Sequence, residues 1–409
     1  MLPPVPVPPN GTAGGLRQES LRELNLALVM GVIAGADAPP SRAGIAAATG
    51  LNKATVSALV DALVEAGLVA ELRRTVTGRA GRPATPLRLA GGTVAGLGLE
   101  INVDYLGVRA LDLTGAHLDE RIQRRDLRGS QPGRTLAALR ALAGQVTAGL
   151  EARGLRLAGV TLALPGLTDA GQGPLRWAPN LGWRDVDVRR VAAGLEPAAA
   201  GPGFFTVDNE ANLAALAEAH IGARQSFIYV SGEIGIGAGV VVGGQVFRGL
   251  HGWAGEIGHV PVDPAGPPCS CGARGCLEVY AGKRALLAAA GLPAAATPED
   301  LAARLAGGRG QARAQRAIDT AAGAIGQVLA ATMNLFDIST VVLGGDFTAL
   351  APALGPGIEE VLSGRVLAAR WGGASLTVAA SAAGHHPALT GAALAAVRRA
   401  ITSPATFLP

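Results

Sequence analysis

Short apolar segments alternate with long Ala- and Leu-rich segments through the last three hundred residues, and this alternation restricts the fold most. The predicted strands are VAGLGLEI, LGVRALDL, LAGVTLAL, FFTVD, FIYVSGEIGIGAGVVVGG, TVVLGG and LTVAAS, and the predicted helices lie near 134–152, 209–222, 283–291 and 313–334. Strands that alternate with helices form sheets covered on both faces, so the pattern predicts an α/β fold. The pattern begins twice, near residues 95 and 205, which predicts two lobes with a ligand cleft between them.

The first ninety residues have a different texture, with three short helical patterns followed by a β-hairpin pattern. Ser41 is predicted to cap the helix RAGIAAAT, and KATVSALVDALVEAG forms the next helix, which Gly67 closes. The buried face of that third helix is predicted to be Val56, Leu59, Val60 and Leu63. The following LVAELRRTVTGRAGRPATPLRL reads as strand, glycine turn and strand. This order predicts a winged helix-turn-helix.

The charge distribution points to a polyanionic partner for this region. The net charge of the whole chain is only +4, but five arginines and no acid lie between residues 72 and 88. The predicted contacts to double-stranded operator DNA are Arg42, Asn52, Lys53, Thr55 and Ser57 around the recognition helix and Arg79 and Arg82 in the wing. A helical protein-interaction module is the alternative that a three-helix pattern alone would allow.

The N-terminus MLPPVPVPPNG is rich in proline and has neither a charged start nor an apolar core. It is therefore predicted to be a disordered leader rather than a secretory signal, and nothing in the chain resembles a membrane span. These features predict a cytoplasmic protein with reduced cysteines. The predicted organisation is a leader (1–15), a winged helix-turn-helix domain (16–90), a first α/β lobe (91–206 plus about 390–409) and a second lobe (207–389).

All three cysteines of the chain fall within eight residues, in the segment HVPVDPAGPPCSCGARGC. His259, Cys269, Cys271 and Cys276 offer one imidazole and three thiolates, which is a complete tetrahedral ligand set for zinc with no open position. Such a closed site is structural and coupled to folding, and it would fix a loop that has few apolar contacts of its own. The alternative is a set of three buried free thiols.

Four short segments carry polar groups suited to the cleft. They are VDNEANLAALAEAHIG (207–222), GEIGIGAG (232–239), GEIGH (255–259) and CLE (276–278). The first places polar side chains at the carboxyl end of a predicted strand, where ligands of α/β proteins bind. The glycines of the second either admit a ligand close to the backbone or simply form a hairpin.

Together these segments resemble the ROK family (repressors, open reading frames and sugar kinases) over almost the whole chain, from about residue 16 to 401. GEIGH followed by CSCGARGCLE is the most specific signature, while GRP in the wing, LPG, APNLGW and VVLGG are further landmarks. The resemblance implies an N-terminal winged helix followed by a two-lobed, actin-like and RNase H-like ATPase fold, a structural zinc and a monosaccharide in the cleft. Carried over by position, the implied sugar contacts are Asn209, Glu210, Glu256, His259, Glu278 and, from APNLGW, Asn180.

The family contains kinases and repressors, and two departures separate this chain from the kinases. Where the family's kinases carry D-x-G-G-T against the ATP phosphates, this chain has Glu100, Asn102, Val103 and Asp104. Side chains then crowd the phosphate approach, and a carboxylate about 4 Å from a phosphate charge is repelled by roughly 4 kcal/mol at an effective dielectric of 20. The kinases' catalytic aspartate is Glu210 here, whose extra methylene displaces the carboxylate by about 1 Å, enough for a hundredfold loss in rate.

These features predict a sugar-responsive repressor without catalytic activity, acting as a homodimer or a dimer of dimers. The alternative is a ROK sugar kinase fused to a DNA-binding domain, and a third reading has a phosphosugar or a partner protein as effector. Activation in place of repression also stays open. The NEAN segment resembles the xylose-responsive branch of the family, but the sequence does not fix which sugar binds.

Overall fold

The computed structural model describes residues 18–73, 85–169, 173–196 and 203–408. The whole predicted leader and both wing arginines, Arg79 and Arg82, lie outside these ranges. The helices are α1 (Gln18–Gly35), α2 (Arg42–Thr49), α3 (Lys53–Glu65), α4 (Pro132–Ala152), α5 (Glu210–Ile221), α6 (Glu278–Ala281), α7 (Lys283–Ala290), α8 (Pro298–Ala306), α9 (Gln311–Phe336), α10 (Phe347–Arg365), α11 (Leu367–Gly372) and α12 (Pro387–Thr402). The strands are β1 (Val69–Glu71), β2 (Leu87–Leu89), β3 (Val94–Ile101), β4 (Tyr105–Asp112), β5 (His117–Arg124), β6 (Arg156–Leu164), β7 (Leu167–Thr168), β8 (Leu175–Ala178), β9 (Trp183–Val186), β10 (Phe205–Asn209), β11 (Phe227–Gly232), β12 (Ile236–Val242), β13 (Gln245–Phe247), β14 (Thr340–Gly345) and β15 (Thr377–Ala380).

The first three helices and the β1–β2 hairpin form a winged helix-turn-helix. Ser41 caps α2 by accepting a hydrogen bond from the backbone N–H of Gly44, and Gly50 ends α2 in the left-handed conformation. Asn52 caps α3 in the same way, through the N–H of Thr55. The predicted inner face of α3 is buried, as the hydrophobic spacing indicated. These local signals explain why the sequence predicted this domain well.

Two five-stranded sheets dominate the rest of the described molecule and have the same topology, and a small antiparallel sheet of β7, β8 and β9 accompanies them. The first has the spatial order β5–β4–β3–β6–β10 and the second β13–β12–β11–β14–β15. In each, three antiparallel strands are followed by two strands that pair in parallel. This repetition confirms the predicted two-lobed α/β architecture. The strand Phe205–Asn209 belongs to the first sheet, so the predicted division after residue 206 falls inside a strand.

The two lobes exchange their last helices. Helix α5 follows the last strand of the first sheet but packs on β12 of the second sheet. Helix α12 follows the last strand of the second sheet but packs on β3 and β6 of the first, and the two helices pack on each other. Glycines allow this approach, because a Cβ at Gly98 would lie 2.5 Å from the Ala393 backbone nitrogen of α12. The lobes are therefore joined by their packing as well as by the chain.

The DNA-binding domain shares a hydrophobic core with the first lobe. Val29 and Met30 of α1 belong to the same buried cluster as Val397 and Ala400 of α12. Thr93 also donates a hydrogen bond of 2.5 Å to the backbone carbonyl of Gly67. This packing places α1 against the C-terminal helix that covers the first sheet.

Several elements lack a clear sequence signal. Helix α10 was not predicted, because Pro352 and Pro356 lie inside it. Strand β5 was not predicted either, because charged residues dominate this edge strand. In the part of the chain that the structure describes, no helix is both long and apolar enough to cross a lipid bilayer.

Candidate functional site

The first strand of each sheet ends in a turn that faces the cleft between the lobes. Asn102 follows β3 and Glu233 follows β11, so the two residues occupy equivalent positions in the repeated topology. The Asn102 side-chain nitrogen donates a hydrogen bond of 3.0 Å to Glu233 Oε2. The two equivalent turns are therefore bonded to each other across the cleft.

A cavity of about 180 Å³ lies beside these turns, between the lobes. It has several times the roughly 30 Å³ share of one water molecule, so it can hold a small polar ligand. All six side chains that the family resemblance implicated in sugar binding line it: Asn180, Asn209, Glu210, Glu256, His259 and Glu278. Their meeting brings together segments that span about a hundred residues of sequence.

Asn209 and Glu210 reach the cavity because they end β10 and begin α5. The Asn209 side-chain oxygen accepts a hydrogen bond of 2.8 Å from the backbone N–H of Ala211 and thereby caps the helix. Its side-chain nitrogen donates to the carbonyl of Gly166 at 3.0 Å. Two hydrogen bonds thus fix the Asn209 side chain, and the next residue, Glu210, lines the cavity at the strand–helix junction.

The opposite wall of the cavity is formed by the segments around Glu256 and Glu278. Glu278 Oε2 accepts a hydrogen bond of 3.4 Å from the backbone N–H of Ile236. A Cβ atom at Gly235 would lie 2.3 Å from the same oxygen, so a larger residue there would displace the Glu278 carboxylate. A Cβ at Gly239 would lie 2.6 Å from the Ala215 methyl group, so this glycine lets α5 pack closely. Strands β11 and β12 form the hairpin that was one of the two predictions, and the approach of a ligand to these glycines stays a prediction.

Carboxyl groups crowd the floor of the cleft. Burial raises the pKa of Glu100 to about 7, and the nearby Glu233 adds to this effect against the hydrogen bond from Tyr105. Burial also raises the pKa of Glu210 well above its ordinary value, with further contributions from the charges of Glu233, Glu100 and Glu256. A protonated carboxyl group can donate a hydrogen bond as well as accept one. Such a group suits a sugar hydroxyl, which also does both.

The predicted metal ligands come together as a closed set. One ligand atom from each of His259, Cys269, Cys271 and Cys276 lies within 4.8 Å of the others. His259 Nδ1 is 3.8 Å from Cys269 Sγ, and the sulfurs of Cys271 and Cys276 are 3.7 Å apart. Tetrahedral ligands with bonds near 2.3 Å lie about 3.8 Å from one another, so these separations are compatible with a structural metal.

His259 borders both features, because it also lines the cleft cavity. A ring whose Nδ1 faces the cysteines leaves its other nitrogen free for a hydrogen bond elsewhere. The loop is further fixed by β-bridges between Pro261 and Cys276 and between Pro268 and Arg274. The cysteine loop and the cleft are therefore parts of one structure.

A second cavity, of about 540 Å³, continues from the Asn102 and Glu233 turns. Its walls include Asp104, Glu233, Glu299 and Asp346. Arg124 and Lys283 also line it, and the Lys283 nitrogen is 3.0 Å from an Asp346 carboxylate oxygen. The wall therefore carries more carboxyl groups than cationic side chains.

Sequence analysis did not identify Glu233 as a site residue. The segment GEIG occurs at 232–235 and again at 255–258, and both glutamates line the same cavity. This short repetition was the signal that could have pointed to Glu233. Trp177 and Ser270 also line the cavity, and neither has a sequence feature that marks it.

The predicted DNA contacts divide into two groups. Asn52 and Lys53 are exposed at the start of α3, and Thr55 and Ser57 are partly exposed beside them. Arg42 differs, because its guanidinium lies 2.6 Å from Asp61 Oδ1 and 2.9 Å from Glu71 Oε1. The structure gives Arg42 a role inside the domain, where it links α2 to α3 and β1.

Comparisons with known proteins agree with both halves of this architecture. Residues 98–399 match the ROK family, and residues 25–73 match the IclR helix-turn-helix domain. The xylose repressor of Bacillus subtilis (strain 168) is 35% identical over 256 residues, which cover 61% of this chain and 64% of that protein. The chain thus spans somewhat less than two thirds of that relative's length.

Two further matches extend over the DNA-binding region. The DNA-binding transcriptional dual regulator NagC of Escherichia coli (strain K12) is 29% identical over 377 residues, which cover 88% of this chain and 90% of that protein. A crystal structure of a ROK family transcriptional regulator, a homolog of the E. coli MLC protein, superposes with a TM-score of 0.77 at 23% identity. That superposition covers 93% of this chain and 98% of the other, and it shows that the two proteins share a fold.

Proposed function

The chain belongs to the ROK family, and from this premise we propose that it is a sugar-responsive transcriptional repressor without kinase activity. The observation that carries the proposal is the cleft cavity. It gathers all six predicted sugar contacts in a molecule that also has a winged helix-turn-helix. A role on operator DNA would require the protein to act in the cytoplasm.

The polar lining of the cavity suits a monosaccharide. Glu210, Glu256 and Glu278 offer carboxyl oxygens, and Asn180 and Asn209 add amides. Adjacent sugar hydroxyls can each donate to one such group and accept from another, so a lining of this kind selects a polyhydroxylated ligand. Xylose and N-acetylglucosamine are the first candidates, because the names of the matched relatives refer to them.

Two features support the absence of kinase activity. Phosphoryl transfer needs a cradle for the phosphates and a metal site. Here the Asn102–Glu233 hydrogen bond closes the two turns onto each other, and Asp104 and Asp346 add negative charge beyond them. The named repressors among the relatives agree with a role that needs no turnover.

The His259, Cys269, Cys271 and Cys276 set would hold a structural zinc ion. Zinc there would supply the folding energy of the loop from Val260 to Leu277, which connects the Glu256 and Glu278 segments of the cavity wall. It would also fix the His259 ring, so that its second nitrogen stays available to the sugar. Metal binding and sugar binding would then be coupled through the His259 side chain.

Helices α5 and α12 provide the route from the sugar to the DNA. Helix α5 begins at Glu210 in the cavity and extends for about 18 Å. It packs on α12, and α12 packs on α1 of the DNA-binding domain. A change in lobe angle on sugar binding would therefore shift the winged helix. In a homodimer or dimer of dimers this would alter the spacing between two recognition helices, and operator half-sites one turn apart would no longer fit.

Calorimetric titration with a panel of free aldoses and N-acetyl sugars tests the proposal, first without and then with operator DNA. Sugar should bind more weakly when DNA is present, by the same factor by which sugar weakens DNA binding. The Glu256→Gln variant should lose sugar affinity, whereas Glu151→Gln, an exposed residue of α4, should not. Equal sugar affinity with and without DNA would contradict the mechanism.

An assay with ATP, magnesium and the same sugars separates the repressor from a kinase fused to a DNA-binding domain. Kinases of this chemistry turn over about 1 to 100 times per second. We expect no turnover above background. Turnover in that range would show that the enzyme alternative is correct, while failure of all free sugars to bind would favour a phosphosugar or protein effector.

A further inference from the structure

A third cavity, of about 430 Å³, lies where the DNA-binding domain meets both lobes. Its walls come from α1, from the end of α5, from α12 and from the turn before β13. Helix α5 thus has its first residue in the sugar cavity and His220, near its last, in this one. We call this space the junction cavity. It shares no lining residue with the sugar cavity.

Most of the junction cavity is apolar. The hydrophobic side chains in its wall include Ala27, Leu89, Leu113, Leu216, Leu394 and Ile401. One acidic side chain, the exposed Asp37, also lines it. Gly31 of α1 leaves additional room, since no atom lies within 4 Å of where its Cβ would be. An apolar wall of this extent favours a ligand with a hydrocarbon body.

One cation in the wall lacks a partner. Arg398 of α12 is partly buried, and among residues 18–73, 85–169, 173–196 and 203–408 its guanidinium has no hydrogen-bond acceptor and no carboxylate. Burial lowers its pKa, and the charge of Arg248 adds to this effect. Arg248 itself is bonded to Asp208 at 2.8 Å. Partly buried arginines are normally paired, because an unpaired buried charge is costly.

His220 lies near Arg398 in the same wall. Burial lowers the pKa of His220, and the positive charge of Arg398 lowers it further. A neutral imidazole can still donate one hydrogen bond. Both residues line the cavity and can donate hydrogen bonds, so each would gain from a negative charge placed beside it.

We propose that the junction cavity binds a small amphipathic carboxylate, with its hydrocarbon body against the apolar wall and its carboxylate on Arg398 and His220. Arginine bonds a carboxylate through two parallel N–H donors, which makes it the stronger partner. The ligand would contact α1 of the DNA-binding domain and α5 and α12 of the lobes together. It is distinct from the sugar of the proposed function.

Calorimetry on the full chain tests this site, with sodium octanoate and sodium phenylacetate as probes and octanol and octylamine as charge controls. We expect saturable binding of one carboxylate per chain and at least tenfold weaker binding of octylamine. The Arg398→Met variant keeps an apolar side chain of similar length and should weaken octanoate binding at least tenfold while leaving octanol binding unchanged.

A cavity-filling variant locates the ligand independently. Gly31→Leu should abolish binding of both carboxylates, because its side chain would occupy the open space beside α1. Gly144→Leu is the matched control, since Gly144 also lies within a helix with no atom near its Cβ position. Both variants should fold, because leucine favours helix over glycine. Binding of neither probe by the natural chain, or unchanged binding by Gly31→Leu, would overturn the proposal.

Discussion

Asn102 of the first lobe donates a hydrogen bond to Glu233 of the second, and this bond joins the two equivalent turns of the repeated topology. The bond spans the cleft, so it limits how far the two turns can separate.

Asn102→Ala should destabilise the protein. A hydrogen bond to a charged group contributes about 1.5 to 3 kcal/mol, so we expect the free energy of unfolding in urea to fall by about 2 kcal/mol. The matched control is the same change in a Glu233→Ala background, where the acceptor is already missing. If Asn102→Ala lowers the free energy of unfolding by the same amount in the Glu233→Ala background, the interlobe bond contributes nothing to stability.

Glu100→Gln should change how stability depends on pH. The folded-state pKa of Glu100 is raised from 4.5 to about 7, so the folded state binds the proton more tightly than the unfolded state. Its contribution to stability is complete below about pH 4.5 and is lost as the pH rises towards 7, by about 3 kcal/mol in total. Glutamine has no proton to lose. Relative to the natural chain, the variant should therefore be more stable at pH 8 than at pH 5, as urea denaturation at the two values would measure. If the variant and the natural chain differed in stability by the same amount at pH 5 and at pH 8, Glu100 would be ionised at both pH values.

Cys276→Ser should remove the metal. Elemental analysis of the purified chain should find about one zinc per protein, and close to none in the variant, because the remaining imidazole and two thiolates bind zinc far more weakly. Ser270→Ala is the control, since Ser270 lies between two ligands but is not one of them. Equal zinc content in all three proteins would contradict the site.

Arg79→Ala with Arg82→Ala should weaken DNA binding and reduce its salt dependence. Each lost phosphate contact lowers the slope of log affinity against log salt by about one unit. A fixed duplex of about three helical turns suffices, because phosphate contacts do not depend on sequence. Arg140→Ala, at an exposed position of α4, should leave the slope unchanged. An unchanged slope in the double variant would exclude wing contacts.

Arg42→Ala should affect stability more than DNA affinity. Its two ion pairs are partly exposed, so together they contribute on the order of 1 kcal/mol. Lys53→Ala is the opposite case, since Lys53 is exposed and has no ion pair within the described ranges. We expect Lys53→Ala to weaken DNA binding without loss of stability. If Arg42→Ala weakened DNA binding more than Lys53→Ala does, Arg42 would be a DNA contact as first predicted.

Much of the fold could be predicted because its signals are local. Ser41, Asn52 and Gly50 mark helix ends by their own capping chemistry. The buried strands are continuous apolar runs, which have few alternatives. The family matches confirm the ROK resemblance and the α/β fold class that follow from these patterns. By contrast, α10 carries two prolines, although Leu350, Leu354, Ile358 and Leu362 give it a buried face at helical spacing.

Site residues could be predicted where they lie in recognisable sequence segments. They could not be predicted where the site depends on contacts between residues far apart in the sequence. Glu256 and Glu278 could be identified beside the cysteines, but the partnership of Asn102 with Glu233 joins residues 131 positions apart. The junction cavity takes its wall from six separate parts of the chain. That Arg398 has no partner among the described residues can be seen only once these parts are folded together.

The exchanged helices determine how this molecule can be divided. A cut in the connection between α5 and β11 would leave the first half without α12, the cover of its sheet, while holding a helix that fits only the second half. Two such fragments would have to recombine before either could become compact. We therefore expect the two lobes to fold and unfold as one unit, although each repeats the topology of the other.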